Sequence, residues 1–93
     1  MKKIKINEKD YEVLENYKEA LKIDNLGEML TDYFDNYDYV LGDWSYGKLR
    51  LKGFCDKQNK IRNNLNSYEN INNYIKKYCS FECQYFILKK IVD

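Results

Sequence analysis

Two apolar runs separated by a short polar turn constrain the fold of this chain more than any other feature. Residues 39–54 read YVLGDWSYGKLRLKGF, and polar and apolar residues alternate through the second run. A period of two is typical of a half-buried strand, and two such runs around a glycine-bracketed turn are typical of a β-hairpin. We therefore predict strands over 37–41 and 48–54, joined by the turn GDWSYG and paired antiparallel.

The residues before this hairpin predict a second hairpin and a helix. Alternation over 2–15, interrupted by the polar segment NEKD, indicates two short strands joined by a turn. Apolar residues then recur at helical spacing over about 25–35, and Asp24 stands where an N-cap would accept hydrogen bonds from the first turn.

The residues after the hairpin predict a loop, a helix and a strand. Residues 55–66 are polar without a period and are interpreted as a mobile loop. Ser67 is the expected N-cap of a helix with an apolar stripe, and the more continuously apolar run 84–92 predicts a last, central strand.

The resulting element order is β-β-α-β-β-α-β. We expect an α+β fold with one antiparallel sheet and two helices packed on one face of it. The 93 residues fit a single domain spanning 1–93, with no linker or internal repeat.

The near-neutral net charge of +1 hides a division of the chain. Residues 1–47 carry 6 basic and 11 acidic residues, whereas residues 48–93 carry 10 basic and 4 acidic residues. Such a division suits electrostatic steering of a charged partner, but it also suits a fold in which the two halves neutralise each other. We favour the second interpretation, because sheets commonly interleave the two halves of a chain.

The chain is expected to act in the cytoplasm and not at a membrane. No segment approaches the roughly 18 consecutive apolar residues of a membrane span, and the N-terminal MKKIKINEKD lacks the apolar region of a signal peptide. The three cysteines should then be reduced, and their odd number does not suit a disulfide framework.

Two segments resemble the signature segments of a known family. The stretches YDYVLGDWSYGKLRLKGF and YCSFECQYFILKK look like those of the YutD-like proteins of low-GC Gram-positive bacteria. The resemblance also covers the opening hairpin and the first helix. It implies a cytoplasmic α+β domain, and it implies no particular reaction.

The hairpin over 39–54 is the first candidate site, as a surface that binds a protein partner. Trp, Tyr and Arg are the residue types that dominate protein–protein hot spots. The residues expected to contact such a partner are Asp43, Trp44, Tyr46, Lys48, Arg50 and Lys52. The alternative interpretation is an ordinary solvated sheet face whose lysines protect an edge against strand addition.

Binding of RNA is the second candidate function. If the polar faces of the first and fourth strands lie on the same side of the sheet, five cations share it, next to Trp44 and Tyr46: Lys3, Lys5, Lys48, Arg50 and Lys52. Cations interleaved with aromatic rings are how sheets bind single-stranded RNA. A net charge near zero argues against this function, because nucleic-acid-binding domains are usually basic.

The cysteines Cys55, Cys79 and Cys83 are weak candidates for a metal or redox site. Cys79 and Cys83 could cycle with a disulfide, or could bind zinc with Cys55 and a borrowed ligand. Three cysteines without a histidine do not complete a zinc site, and we favour a packing role for these small apolar side chains.

Carboxylates offer a further candidate, since Asp35, Asp38 and Asp43 could form a cation site. We prefer to interpret Asp43 as a turn residue that bonds its own backbone. The chain has no histidine for base catalysis and no glycine-rich phosphate loop. We therefore expect a non-enzymatic interaction module without a cofactor.

Overall fold

The computed structural model describes residues 2–22, 26–45, 47–78 and 83–91. The bounds of its elements, in chain order, are β1 Lys2–Ile6, β2 Lys9–Tyr17, α1 Leu26–Met29, a 3-10 turn Asp32–Asn36, β3 Tyr39–Ser45, β4 Lys48–Phe54, a 3-10 turn Tyr68–Asn70, α2 Ile71–Tyr78 and β5 Tyr85–Lys90. The predicted element order is confirmed. No helix among these residues is long and apolar enough to cross a membrane.

The five strands form one sheet in the order β1-β2-β5-β3-β4, and every pair is antiparallel. The last strand of the chain is therefore the central one, as its apolar run predicts, and three of its six residues are buried. Because β5 is inserted between β2 and β3, one strand of the basic half lies between two strands of the acidic half, whereas the other, β4, lies at an edge.

The two helices pack on opposite faces of the sheet, so the prediction that both lie on one face is wrong. Phe86 and Leu88 of β5 join the cluster that contains Leu26 of α1, whereas the alternate residue Ile87 joins the cluster that contains Ile71 of α2. Successive side chains of a strand point to opposite faces, so a central strand that is apolar at every position needs a cover on both. We call these faces the α1 face and the α2 face.

The helix predicted over 25–35 is divided into two short pieces. Thr31 has an extended backbone conformation and separates α1 from the following 3-10 turn. The side chain of Asn7, in the turn between β1 and β2, donates hydrogen bonds to the carbonyls of Gly27 (2.8 Å) and Leu30 (3.0 Å). These bonds satisfy carbonyls that a helix end leaves without a partner. Asp24, the predicted N-cap, lies outside the described residues.

The polar segment 55–66 is held by its own side chains and by Asp38. The carboxylate of Asp38 accepts hydrogen bonds from the backbone of Asp56 (2.8 Å) and the side chain of Asn59 (3.0 Å). Ser67 stands at the predicted N-cap position, but its side chain makes no capping bond and its hydroxyl has no partner among the described residues. Its carbonyl accepts from the backbone of Asn70 instead (2.9 Å).

Six buried or half-buried tyrosines with raised pKa values lead us to predict that the protein loses stability at alkaline pH. The hydrogen bond with Tyr33 (3.2 Å) and, secondarily, burial raise the pKa of Tyr37 from 10.0 to about 12. Burial also raises the pKa of Tyr11, Tyr39, Tyr68, Tyr74 and Tyr85. A group whose pKa is raised on folding stabilises the fold below its unfolded pKa and loses this contribution as the pH rises through its folded pKa. Stability in urea should therefore fall between pH 10 and pH 12.

The matched variant is Tyr33→Phe, which removes the hydrogen-bond partner at a residue that is 64% exposed. Tyrosinate absorbance of the folded protein should then show ionisation of Tyr37 at a lower pH than in the unmodified chain. Unfolding free energies that stay constant up to pH 12 would contradict the prediction.

Candidate functional site

The candidate hairpin consists of β3 and β4, joined by a turn of two residues. Ser45 pairs with Lys48, and the turn between them ends at Gly47, whose φ of 76° favours glycine. The predicted six-residue turn is therefore wrong: β3 continues through Gly42 and Asp43. Glycine is required at position 42 for another reason, because a Cβ there would lie 2.1 Å from the ring of Phe86.

Asp43 is a buried strand residue, not a turn residue. It lies opposite Arg50, whose Nε donates to Oδ1 (2.8 Å) and whose Nη2 donates to Oδ2 (3.1 Å). The side chain of Asp43 is 4% exposed, whereas that of Arg50 is 49% exposed. The hydrogen bond and the charge of Asp43 raise the pKa of Arg50. This bidentate pair fixes the guanidinium on β4.

The carboxylates of Asp35, Asp38 and Asp43, which we considered as a cation site, each bind a different partner. Asp35 pairs with Lys9, Asp38 binds the segment that begins at Asp56, and Asp43 pairs with Arg50. No group of three potential metal-ligating residues occurs within the part of the chain that the structure describes. Each carboxylate therefore has a structural partner of its own.

Lys48, Arg50 and Lys52 form a row along the α2 face of β4, which we call the cationic row. They alternate with Leu49 and Leu51, which pack on the α1 face. The ammonium of Lys52 lies 5.3 Å from the ring centre of Phe54 and 5.4 Å from that of Tyr74, a residue of α2. Cation–π contacts at such distances hold a lysine stem against the surface. Since β4 is the last strand of the sheet, the row follows an edge.

Trp44 does not share the surface of the cationic row. Its side chain packs against the cluster on the α1 face, and its Nε1 donates to the carbonyl of Ala20 (2.8 Å). The ammonium of Lys22 lies 5.4 Å from its ring centre. Trp44 thus connects β3 to the segment after β2, and the predicted contact set is divided between two faces. Tyr46, another member of that set, lies outside the described residues.

The cations predicted to bind RNA share one face but not one patch. Lys3 and Lys5 alternate with the buried Ile4 and Ile6, so they lie on the α2 face like the cationic row. However, β1 and β4 are the two edges of the sheet, roughly 19 Å apart for four strand spacings. Lys3 lies opposite Glu12, and Lys5 opposite Asp10, so acidic residues neighbour this pair.

Among the described residues, the cysteines form no metal-ligating cluster. Cys55 is a buried free thiol beside β4, and burial raises its pKa. Cys83 is disulfide-bonded, so the expectation that every cysteine is reduced is wrong for this residue. A disulfide sulfur is not a thiolate ligand, which removes the proposed zinc set. Cys79 lies outside the described residues, and the redox pair stays a prediction.

A groove on the α2 face was not predicted from the sequence. The pairing of β2 with β5 shifts between Val13 and Glu15, which is a β-bulge, and Leu14 and Glu15 consequently both face α2. They line a groove of about 530 Å³ together with Tyr68 of the second 3-10 turn. Burial and, secondarily, a hydrogen bond with Glu15 raise the pKa of Tyr85 in β5. The adjacent apolar residues Val13 and Leu14, which interrupt the alternation, are the signal that could have located this bulge.

Comparisons with known proteins agree on one family. The sequence model of the family described as "Putative antitoxin YutD-like" matches residues 5–89. A similar protein is "Putative antitoxin YutD" of Bacillus subtilis (strain 168), which is 39% identical over 88 residues that cover 95% of this chain and 97% of that protein. The solution NMR structure of yutD from B. subtilis has a TM-score of 0.78 and 37% identity to this chain, covering 98% of this chain and 83% of that one.

Proposed function

This chain belongs to the YutD-like family, and we propose that it is a non-enzymatic module that binds a protein partner through the hairpin of β3 and β4. The family description and the B. subtilis relative both carry the word antitoxin. An antitoxin neutralises a toxin, and direct binding to a protein is a physical route to neutralisation that requires no catalytic group.

The observation that supports this site is the cationic row on an edge strand. Arg50 is held by two hydrogen bonds to a buried carboxylate, and Lys52 by two aromatic rings, so two of the three cations are positioned before any partner arrives. Preorganised side chains lose less conformational entropy on binding. Complementary charge also accelerates the encounter with an acidic surface.

Charge reversal on β4 tests the proposal. The variant Lys48→Glu/Lys52→Glu changes two cations of the row and leaves Arg50 in place, because Arg50 neutralises the buried Asp43. The control is Lys3→Gln/Lys5→Gln, which removes two cations of the same face at the opposite edge without placing carboxylates opposite Glu12 and Asp10. Proteins that the unmodified chain captures from its source cells are identified, purified and titrated against all three forms.

We expect the β4 variant to lose affinity by roughly tenfold or more and to lose salt dependence, because both lysines approach the partner. The β1 control should bind like the unmodified chain. Capture of no protein, or equal affinity for both variants, would contradict the proposal. Loss of binding in both variants together with release of the partner by ribonuclease would instead favour the RNA-binding function.

A further inference from the structure

The backbone N–H and carbonyl groups of successive β4 residues point alternately towards β3 and away from the sheet. Ser45 and Lys48 close a two-residue hairpin, so this pair exchanges backbone hydrogen bonds, and Arg50 and Lys52 face β3 in the same way. The backbone groups of Cys55 point away from β3. Its N–H donates to the carbonyl of Asn66 (2.6 Å), and its carbonyl accepts from the N–H of Tyr68 (2.9 Å). The residues that share the direction of Cys55 are Leu49, Leu51 and Gly53.

Leu49 and Leu51 present an open edge, whereas Gly53 is buried against the ring of Tyr37. Within the described ranges, the outward N–H and carbonyl groups of Leu49 and Leu51 have no backbone partner, because β4 ends the sheet and the segment at Ser67 covers the edge only beside Cys55. The uncovered stretch, 48–52, is roughly 16 Å long. It is long enough for one short extended strand.

We propose that the protein partner adds such a strand to the open edge of β4, and that its residues alternate between acidic and apolar. This inference rests on the proposed function, since it states how that partner is held. Main-chain hydrogen bonds would supply the pairing, and the side chains of both faces would supply the selectivity.

The two faces of β4 determine the chemistry of the added strand. On the α2 face, alternate residues of that strand lie beside the cationic row, where cross-strand carboxylates are favourable. On the α1 face, the other residues lie beside the half-buried Leu49 and Leu51, where apolar side chains extend the existing cluster. A strand that alternates acidic and apolar residues satisfies both faces at once.

Charge also excludes a second copy of this chain as the added strand. Pairing of β4 with another β4 would bring two cationic rows together, and pairing with β1 would bring the row beside Lys3 and Lys5. Like charges on adjacent strands are destabilising. The lysines that protect an edge against self-association therefore select for an acidic strand.

The probe for this proposal is the peptide acetyl-Glu-Val-Glu-Val-Glu-Val-Glu-amide, and its control is the corresponding Lys-Val peptide. Amide hydrogen exchange is followed by NMR. In the free protein, the amides of Arg50 and Lys52 should be protected, and those of Leu49 and Leu51 should exchange fast. The acidic peptide should slow exchange at these two amides by roughly tenfold or more, and the basic peptide should not.

Two further measurements test the hydrogen bonds themselves. The peptide amides form two alternating sets, and only one set faces β4. N-methylation of that set should abolish binding, whereas N-methylation of the other set should not. On the protein, Leu51→Pro removes an outward N–H without removing a bond to β3, as proline does at sheet edges. Leu51→Ala is its control, because it shortens the same side chain and keeps the N–H.

The outcomes separate this inference from the proposed function. Binding that depends on Lys48 and Lys52 without protection of the outward amides would overturn strand addition and leave the protein-binding function in place. Absence of peptide binding, or equal effects of both N-methylated sets, would also overturn strand addition. Protection of the outward amides by the acidic peptide, lost in the Leu51→Pro variant and kept in Leu51→Ala, would support it. If the proline variant does not fold, the N-methylated peptides decide the question.

Discussion

Replacement of Gly42 by alanine is expected to destabilise the protein by about 3 kcal/mol or more, since overpacking of a core costs about 1–3 kcal/mol and sometimes exceeds it. A Cβ at this position would lie 2.1 Å from Cζ and 2.4 Å from Cε2 of Phe86. The ring is fully buried in the central strand, so it has no free space into which it can move. Native proteins are stable by only about 5–15 kcal/mol, and a loss of this size is readily measured by urea denaturation.

Two controls identify the ring contact as the cause. Gly47→Ala has no heavy atom within 4 Å of the new Cβ, and its positive φ should cost only about 1–2 kcal/mol. Phe86→Leu removes the ring atoms in conflict with the new Cβ, so it should cost less stability in the Gly42→Ala background than alone. An alanine variant as stable as the unmodified chain would show that β3 and β5 do not approach as described.

Replacement of Arg50 by alanine is expected to cost about 3 kcal/mol, because it leaves the carboxylate of Asp43 buried without its cation. Asp43→Ala should cost less, since the side chain of Arg50 is 49% exposed and can turn to water. The two substitutions should therefore lower the free energy of unfolding, measured in urea, by different amounts, although both remove the same ion pair.

Three variants sharpen this second prediction. Arg50→Lys keeps the charge but not the bidentate geometry, and it should fall between the unmodified chain and Arg50→Ala. Asp43→Asn should recover part of the stability lost in Arg50→Ala, because it removes the buried charge. Arg62→Ala, at an exposed residue of the 55–66 segment, should change stability by no more than about 0.5 kcal/mol. Equal effects of Arg50→Ala and Arg62→Ala would contradict the prediction.

Local patterns were sufficient to predict most elements of this fold. Alternation predicted both hairpins, and the continuously apolar run that contains Phe86 and Ile87 predicted a central strand. These predictions succeeded because the period of side-chain burial is a property of the strand or helix itself. The placement of both helices on one face failed for the complementary reason, because a continuous apolar run requires covers on both faces but does not say which helix covers which.

The candidate site was predicted less completely than the fold. The alternation of the cationic row with Leu49 and Leu51 was evident from spacing, whereas only the sheet showed that Lys3 and Lys5 lie on the same face. Gly42 was misinterpreted as a turn residue. A glycine that leaves room for a facing ring cannot be distinguished in the sequence from a glycine in a turn. Trp44 lies on the opposite face from the cationic row because β3 continues as a strand through Asp43.

By itself, the sequence determined the family, the order of the elements and the alternation that places three cations on one side of β4. Only the tertiary structure decided that β5 lies between β2 and β3, which leaves β1 and β4 as the edges. Strand order depends on contacts between residues far apart in the chain, such as the ring of Phe86 against Gly42. Local spacing carries no information about such contacts, and the open edge of β4 is their consequence.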